Sequence, residues 1–226
     1  MMFHWQWQRK EKSVTFVIYR WIYFAFYAFS TAISIINSLK NDSFQFSFIY
    51  LSRWNLYMTM IMSLVSACLA TSFYRGNIKA QKMDSSMKFY WFMYNNVSTF
   101  ACFITAFYWA FVYDGKPINL STILTHMTNS IGPFFDLMIV NHPPHMFQCI
   151  YPMMCGSFYL IFTFIYQILG GLNENGENFI YSALDWNKNL KKSLIISAKA
   201  FLFIGIIHVI LSLLQHLRIF LFKISR

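Results

Sequence analysis

The sequence predicts an all-α integral membrane protein, a six-helix transmembrane bundle with both termini cytoplasmic, and three observations carry that prediction. Of 226 residues, 57% are apolar and 12% charged, too few polar groups to clothe a soluble domain. The charges cluster between six long apolar runs, each of the ~20 residues that cross a bilayer core. The runs stay apolar on both parities, which excludes a closed β-barrel, whose strands alternate lipid-facing and lumen-facing residues. The net charge of +10 sits in tails and loops beside these runs, so it reads as membrane topology and not as a nucleic-acid surface.

The expected spans lie at about 14–39, 48–74, 89–113, 118–140, 146–172 and 194–221, within one transmembrane domain covering residues 1–226. The first follows a basic stretch holding Arg9, Lys10 and Lys12. It is longer than a signal-peptide core and lacks a small-residue cleavage pattern, so it is expected to stay uncleaved. Arg20, two turns inside it, is expected to snorkel to the nearby interface. The third span carries Asn95, Asn96, Ser98 and Thr99, the fifth Thr163 and Gln167, and the sixth His208, Ser212, Gln215 and His216 on one face. Such groups at membrane depth imply hydrogen bonds between helices.

The fourth span is the most informative. At about 100° per residue, Asn119, Thr122, His126, Asn129, Ser130, Pro133 and Asp136 share one sector of the helix, so one face is wet or paired. His126 and Asp136 are separated by roughly 15 Å along the axis, so each needs its own partners. The expected polar cavity is lined by Thr122, Ser130, Asp136 and His208.

With a cytoplasmic N-terminus, that side receives Arg75, Lys79, Lys82, Lys88, Arg218, Lys223 and Arg226, while the Asn-x-Ser acceptors at Asn41 and Asn119 fall opposite. Cys68, Cys102, Cys149 and Cys155 have no paired-ligand spacing and read as packing residues. No His-x-x-x-His pair is present, and His142 and His145 flank Pro143 and Pro144, whose extended backbone is expected to send both rings toward the interface. No metal and no other cofactor is expected. Trp21, Trp54, Trp91, Trp109 and Trp186 stand near span ends, as in interfacial aromatic belts. Gly170-Gly171 and the following Asn173 to Glu177 read as the turn ending the fifth helix.

Several segments together resemble a known pattern: Tyr19-Arg20, Tyr50-Leu51-Ser52-Arg53-Trp54-Asn55, Phe107-Tyr108-Trp109, His126-x-x-Asn129-Ser130 with Asp136, Tyr151-Pro152, Gly170-Gly171, Asn175-Gly176, and above all Phe179 to Trp186. In order and spacing they resemble the rolling stone family of multi-pass membrane proteins, over about residues 19–188. That resemblance implies a compact six-helix membrane protein and an association with myoblast fusion. More distantly, the pattern is similar to the androgen-induced and androgen-dependent TFPI-regulating proteins, membrane threonine hydrolases of fatty acid esters of hydroxy fatty acids. In that register Ser52 stands where those relatives carry the nucleophilic Thr, and Asn129 stands where they carry an essential His. Asn cannot take a proton at physiological pH, so the inherited dyad is broken.

The expectation is a non-enzymatic protein of rolling stone type acting in cell-surface organisation, cell fusion or lipid-related signalling, in the plasma membrane or the endoplasmic reticulum. Its expected partners are membrane lipids, a fatty-acid-like ligand or a membrane protein. The alternative is an intramembrane lipid esterase with Ser52 as nucleophile, His126 as base and Asn129 or a main-chain amide as oxyanion stabiliser. A transporter is a weaker reading, since the six spans show no repeat symmetry.

Overall fold

A computed structural model describes residues 12–77, 85–112, 115, 128–143 and 145–224, with six α-helices and no strands among them. They are α1 (Val14–Lys40), α2 (Leu51–Arg75), α3 (Ser85–Phe107), α4 (Thr128–Ile139), α5 (Ile150–Ile168) and α6 (Leu190–Ile224). Four helical stretches, Val14–Lys40, Leu51–Arg75, Met146–Ile168 and Leu190–Phe222, are long and apolar enough to cross a membrane. Six spans were expected. The helix α3 has the length but, with Asn95, Asn96, Ser98 and Thr99 in its middle, is not among the four, and described α4 is only 12 residues long.

Successive helices run antiparallel, and cross-links between them fix two ends. The start of α1, the end of α2, the start of α3, the end of α4, the start of α5 and the end of α6 gather at what we term the first end; Leu51, Phe107 and Leu190 lie toward the second. The central helix is α3, which packs against α2, α4, α5 and α6, while α1 packs mainly on α2.

Packing is inside-out relative to a soluble protein. Ser30, Thr31, Ser34 and Ser38 of α1 and Ser52, Thr59, Ser63 and Ser66 of α2 are buried, whereas Ile22, Phe29, Phe158, Leu202 and Phe220 stand exposed. Lipid tails are as apolar as leucine, so helices associate through small residues that let backbones approach and through polar groups that pair internally. The hydroxyls of Ser30, Ser38 and Thr59 donate to the carbonyls of Phe26, Ser34 and Asn55, one turn back, so their burial leaves no donor unmet. At α5 and α6 glycine serves the same close approach: a Cβ on Gly156 would meet Ile204 at 2.7 Å, and one on Gly205 would meet Met153 at 3.2 Å.

The helix ends carry ordinary capping chemistry. The Ser13 hydroxyl accepts from the Phe16 N–H at the start of α1. Gly76 takes φ +83° after α2, and the N–H of Asn77 closes on Ser72 O at 3.0 Å. Gly170 takes φ +80° after α5, and Gly171 N–H closes on Tyr166 O at 2.9 Å, so the expected turn is present. The end of α3 widens into a π-helical turn over Tyr108–Val112.

Two expectations for the tryptophans are corrected. Trp91 and Trp186 are 7% and 8% exposed and are not belt residues. Each indole N–H has found an internal acceptor, Gln148 Oε1 at 2.6 Å and Thr163 Oγ1 at 3.2 Å, which is the condition for burying this side chain. Trp21 and Trp109 do remain exposed.

Candidate functional site

Two polar assemblies lie at opposite levels of the bundle. Toward the first end, Arg20 of α1 forms an ion pair with Asp136 of α4, Nη1 to Oδ1 at 2.7 Å, with both side chains at most 1% exposed. Arg20 therefore does not snorkel. A carboxylate buried in α4 needs a cation, and attraction at short range in a dry interior outweighs the reach to water about two turns away. Tyr19 donates to the same oxygen at 2.6 Å. The Arg20 guanidinium also donates to the Tyr90 hydroxyl at 3.3 Å, and that hydroxyl lies 2.7 Å from His142 Nε2.

His142 is fully buried, against the expectation that both loop histidines face the interface. Its ring is enclosed edge-on by Tyr90, Trp91 and Tyr94, the last at 4.4 Å between centroids. Burial, with Arg20 and then Arg218 nearby, holds the imidazole well below its ordinary pKa. The Tyr90 hydroxyl thus stands between the Arg20 guanidinium and the His142 ring and links the two by hydrogen bonds. His145, by contrast, is exposed, and its carbonyl lies 3.2 Å from His208 Nε2.

Arg218 completes the assembly from α6. Counted with the basic end of the chain in the sequence, it is 3% exposed and donates to the carbonyls of Leu137, Val140 and His142, the last at 2.9 Å. A cation at the C-terminus of α4 satisfies orphan carbonyls and meets the negative end of the helix dipole. The assembly thus ties α1, α3, α4 and α6 together.

The remaining expected residues are dispersed. His126 and Thr122 lie outside the described residues, and of Asn129 only the backbone is described, in the first turn of α4. Ser130 bonds Thr105 and the Ala101 carbonyl of α3, and His208 bonds Thr99 at 3.0 Å. Both sit in helix interfaces.

Toward the second end a cleft of about 1110 Å³ opens between the top of α1, the start of α2, the end of α3, the middle of α5 and the segment 173–184. Ser52, 8% exposed, is on its wall, beside Arg53. The Arg53 guanidinium bonds Ser34 through both hydroxyl and carbonyl, which pins the start of α2 to α1. Ser130, Asp136 and His208 do not line this cleft.

The roof of the cleft follows from local sequence. Gln167 of α5 accepts from the Trp186 N–H at 2.9 Å and donates to Asp185 Oδ1 at 2.8 Å. Asp185 accepts again from Lys188 N at 3.1 Å, and its carbonyl from Ser193 Oγ. The Gln167 amide is the main reason the Asp185 carboxyl is held below its usual range. With this latch closed, Tyr181 reaches back over α2: its hydroxyl and that of Tyr159 both accept from the Leu51 N–H, and Tyr159 donates to Ile49 O at 2.7 Å. Asn173 folds the turn by accepting from the N–H groups of Asn175 and Glu177.

Sequence reasoning missed Arg20, Tyr90, His142, Arg218, Tyr159 and Tyr181. For the two arginines a signal existed. Asp136 is the carboxylate of the fourth apolar run, and Arg20 and Arg218 are cations placed well within runs of their own.

Segments that carry the resemblance now have positions: Tyr50 to Arg53, Asn175 and Phe179 to Leu184 line the cleft, while Tyr19-Arg20 and Asp136 belong to the buried assembly. The family model described as "Protein rolling stone" matches residues 1–225. The chain is 30% identical to "Protein rolling stone" of Drosophila melanogaster over 196 residues, 80% of this chain and 70% of that protein. No solved structure matches it. On that match along its whole described length, the chain belongs to the rolling stone family.

Proposed function

We propose that the chain works without chemistry of its own, in cell-surface organisation, cell fusion or lipid-related signalling, and that the cleft toward the second end is its working surface. One observation carries this reading: Tyr50 to Arg53, Asn175 and Phe179 to Leu184, which belong to segments that carry the resemblance, line one cleft of about 1110 Å³ together with the charged side chains Lys40, Glu174 and Glu177. A concave site of this volume with apolar walls and a few convergent polar groups is the ordinary form of a binding site. Membrane lipids and the exposed loops of a membrane partner are the occupants that the apolar walls and charged rim suit.

The test is a cell-fusion or cell-adhesion assay at matched surface expression. Replacing 173–177 by a Gly-Ser segment of equal length abolishes activity, whereas Ser52→Ala and His126→Ala retain it. Loss of activity in the two point variants at normal surface levels contradicts the reading.

A second reading has one observation behind it: Ser52 lies in the cleft wall at the start of α2. A lipid ester hydrolase would use that hydroxyl as nucleophile. A fluorophosphonate probe on active purified protein decides, since labelling at Ser52 favours the hydrolase and its absence removes it.

A further inference from the structure

Tyr159 is a strut between two openings. Its hydroxyl, bonded to Leu51 N and Ile49 O, joins the middle of α5 to the start of α2. On one side lies the cleft; on the other, a groove of about 540 Å³ descends between α2 and α5, and Leu51 and Tyr159 line both. The groove is floored by Phe92 and Phe100 of α3 and walled by Met58 of α2 and Met154 and Phe158 of α5. Met154 and Phe158 are 62% and 65% exposed, so it opens sideways onto the surface that faces the bilayer. It extends from Tyr159 to Tyr151, roughly 12 Å at helical rise.

The cleft beside it is charged in two signs. Lys40 and Arg53 stand on the α1 and α2 side, and Glu174 and Glu177 on the loop opposite. The Arg53 contacts with Ser34 use Nη1, and a guanidinium carries five donors.

We propose that groove and cleft together hold one amine-bearing glycerophospholipid drawn from the bilayer. One acyl tail lies in the groove, where thioethers and phenyl rings adapt to a flexible chain. The phosphate meets Arg53 and Lys40, and the primary ammonium meets Glu174 and Glu177. The second tail stays in the bilayer, which the open side of the groove allows. A sterol would bring no counter-charge to the rim, a glycerol headgroup would bring no cation to the carboxylates, of which Glu177 has, among the described residues, only the neutral Asn173 amide as donor, and a choline headgroup has no N–H to donate. Occupancy ties the 173–177 turn to the α1 and α2 side, so leaflet composition sets the shape of the cleft. This rests on the cleft being the working site.

Cys155 lies in the groove and reports on it, and the exposed Cys68 serves as internal control. The full chain is placed in phosphatidylcholine nanodiscs, and N-ethylmaleimide alkylation of each cysteine is followed by mass spectrometry. Adding phosphatidylethanolamine slows Cys155 at least about fivefold relative to Cys68, by mass action, whereas phosphatidylglycerol changes it less than about twofold. Glu174→Gln with Glu177→Gln removes the slowing through the headgroup, and Met58→Trp removes it by filling the groove. Equal rates in all three lipids overturn the proposal, as does equal slowing at Ile161→Cys on the bilayer face of α5, which marks a bulk bilayer effect. If the lipid arms fail while the loop replacement still abolishes fusion, this inference falls alone. If Cys155 is protected while the loop replacement is silent, the functional reading falls instead.

Discussion

Asp136 joins α4 to α1 at the centre of the buried polar assembly. Its carboxylate is fully buried and holds Arg20 and Tyr19 through one oxygen. Asp136→Asn keeps the shape and removes the charge, which leaves Arg20 buried without a counterion and costs about 3–5 kcal/mol. Adding Arg20→Met to Asp136→Leu recovers at least half of that loss, because replacing both charges removes the desolvation penalty with the attraction; thermal unfolding in detergent reads both. His142 sets a pH window. It faces Arg20 of α1, Tyr90, Trp91 and Tyr94 of α3, and Arg218 of α6, and its folded pKa lies below the unfolded value of about 6.5. The folded state therefore resists a proton that the unfolded state accepts. Stability is full above about pH 6.5 and declines as pH falls through the lowered folded value. His142→Phe flattens the melting temperature between pH 6.5 and 5, relative to the parent, as about one proton is removed from the linkage. That Asp136 needs a partner on another helix was legible in the sequence. That Arg20 supplies it was not, because depth from the nearest interface argues for snorkelling and only the folded bundle shows the carboxylate within reach.

Among the elements, the latch between α5 and the segment after it is a local structure with a checkable energy. Gln167→Ala leaves the buried Trp186 N–H without an acceptor and costs about 1–3 kcal/mol, read as a lowered melting temperature and faster protease nicking between 173 and 188. Asp185 adds a second, more acidic dependence: its folded pKa is depressed, so its contribution is present above the unfolded carboxylate value near 3.9 and is lost as pH falls through the folded one. At α4, a Cβ on Gly132 would collide with the hydroxyl of the fully buried Tyr27. Gly132→Ala therefore overpacks the α1–α4 contact by about 1–3 kcal/mol, and Tyr27→Phe in the same chain relieves part of it. The glycine turn after α5 was legible from Gly170-Gly171. The burial of Trp91 and Trp186 was not, since a tryptophan near a span end has two stable settings and the choice depends on Gln148 and Thr163, which are distant in sequence or on another element.

At the scale of the whole molecule, composition and the six apolar runs determine the helical membrane class, because a bilayer leaves few architectures open. The resemblance carried by Phe179 to Trp186 was likewise legible, and the family match agrees with it. The cleft was not legible. It arises where the 173–184 segment folds back beside the ends of α1, α2 and α3, and such a chain reversal leaves no periodic mark in sequence. The sequence pointed instead to the polar face of the fourth helix, whose described members, Ser130 and Asp136, prove to be engaged with α3 and α1. On the proposed reading the protein works at the cleft, while the buried charges hold the bundle together. The most direct test compares Tyr181→Ala with Ser52→Ala in a fusion or adhesion assay at equal surface expression. Tyr181→Ala, which removes the roof over α2, loses activity while Ser52→Ala keeps it; activity retained in the first and lost in the second contradicts the account.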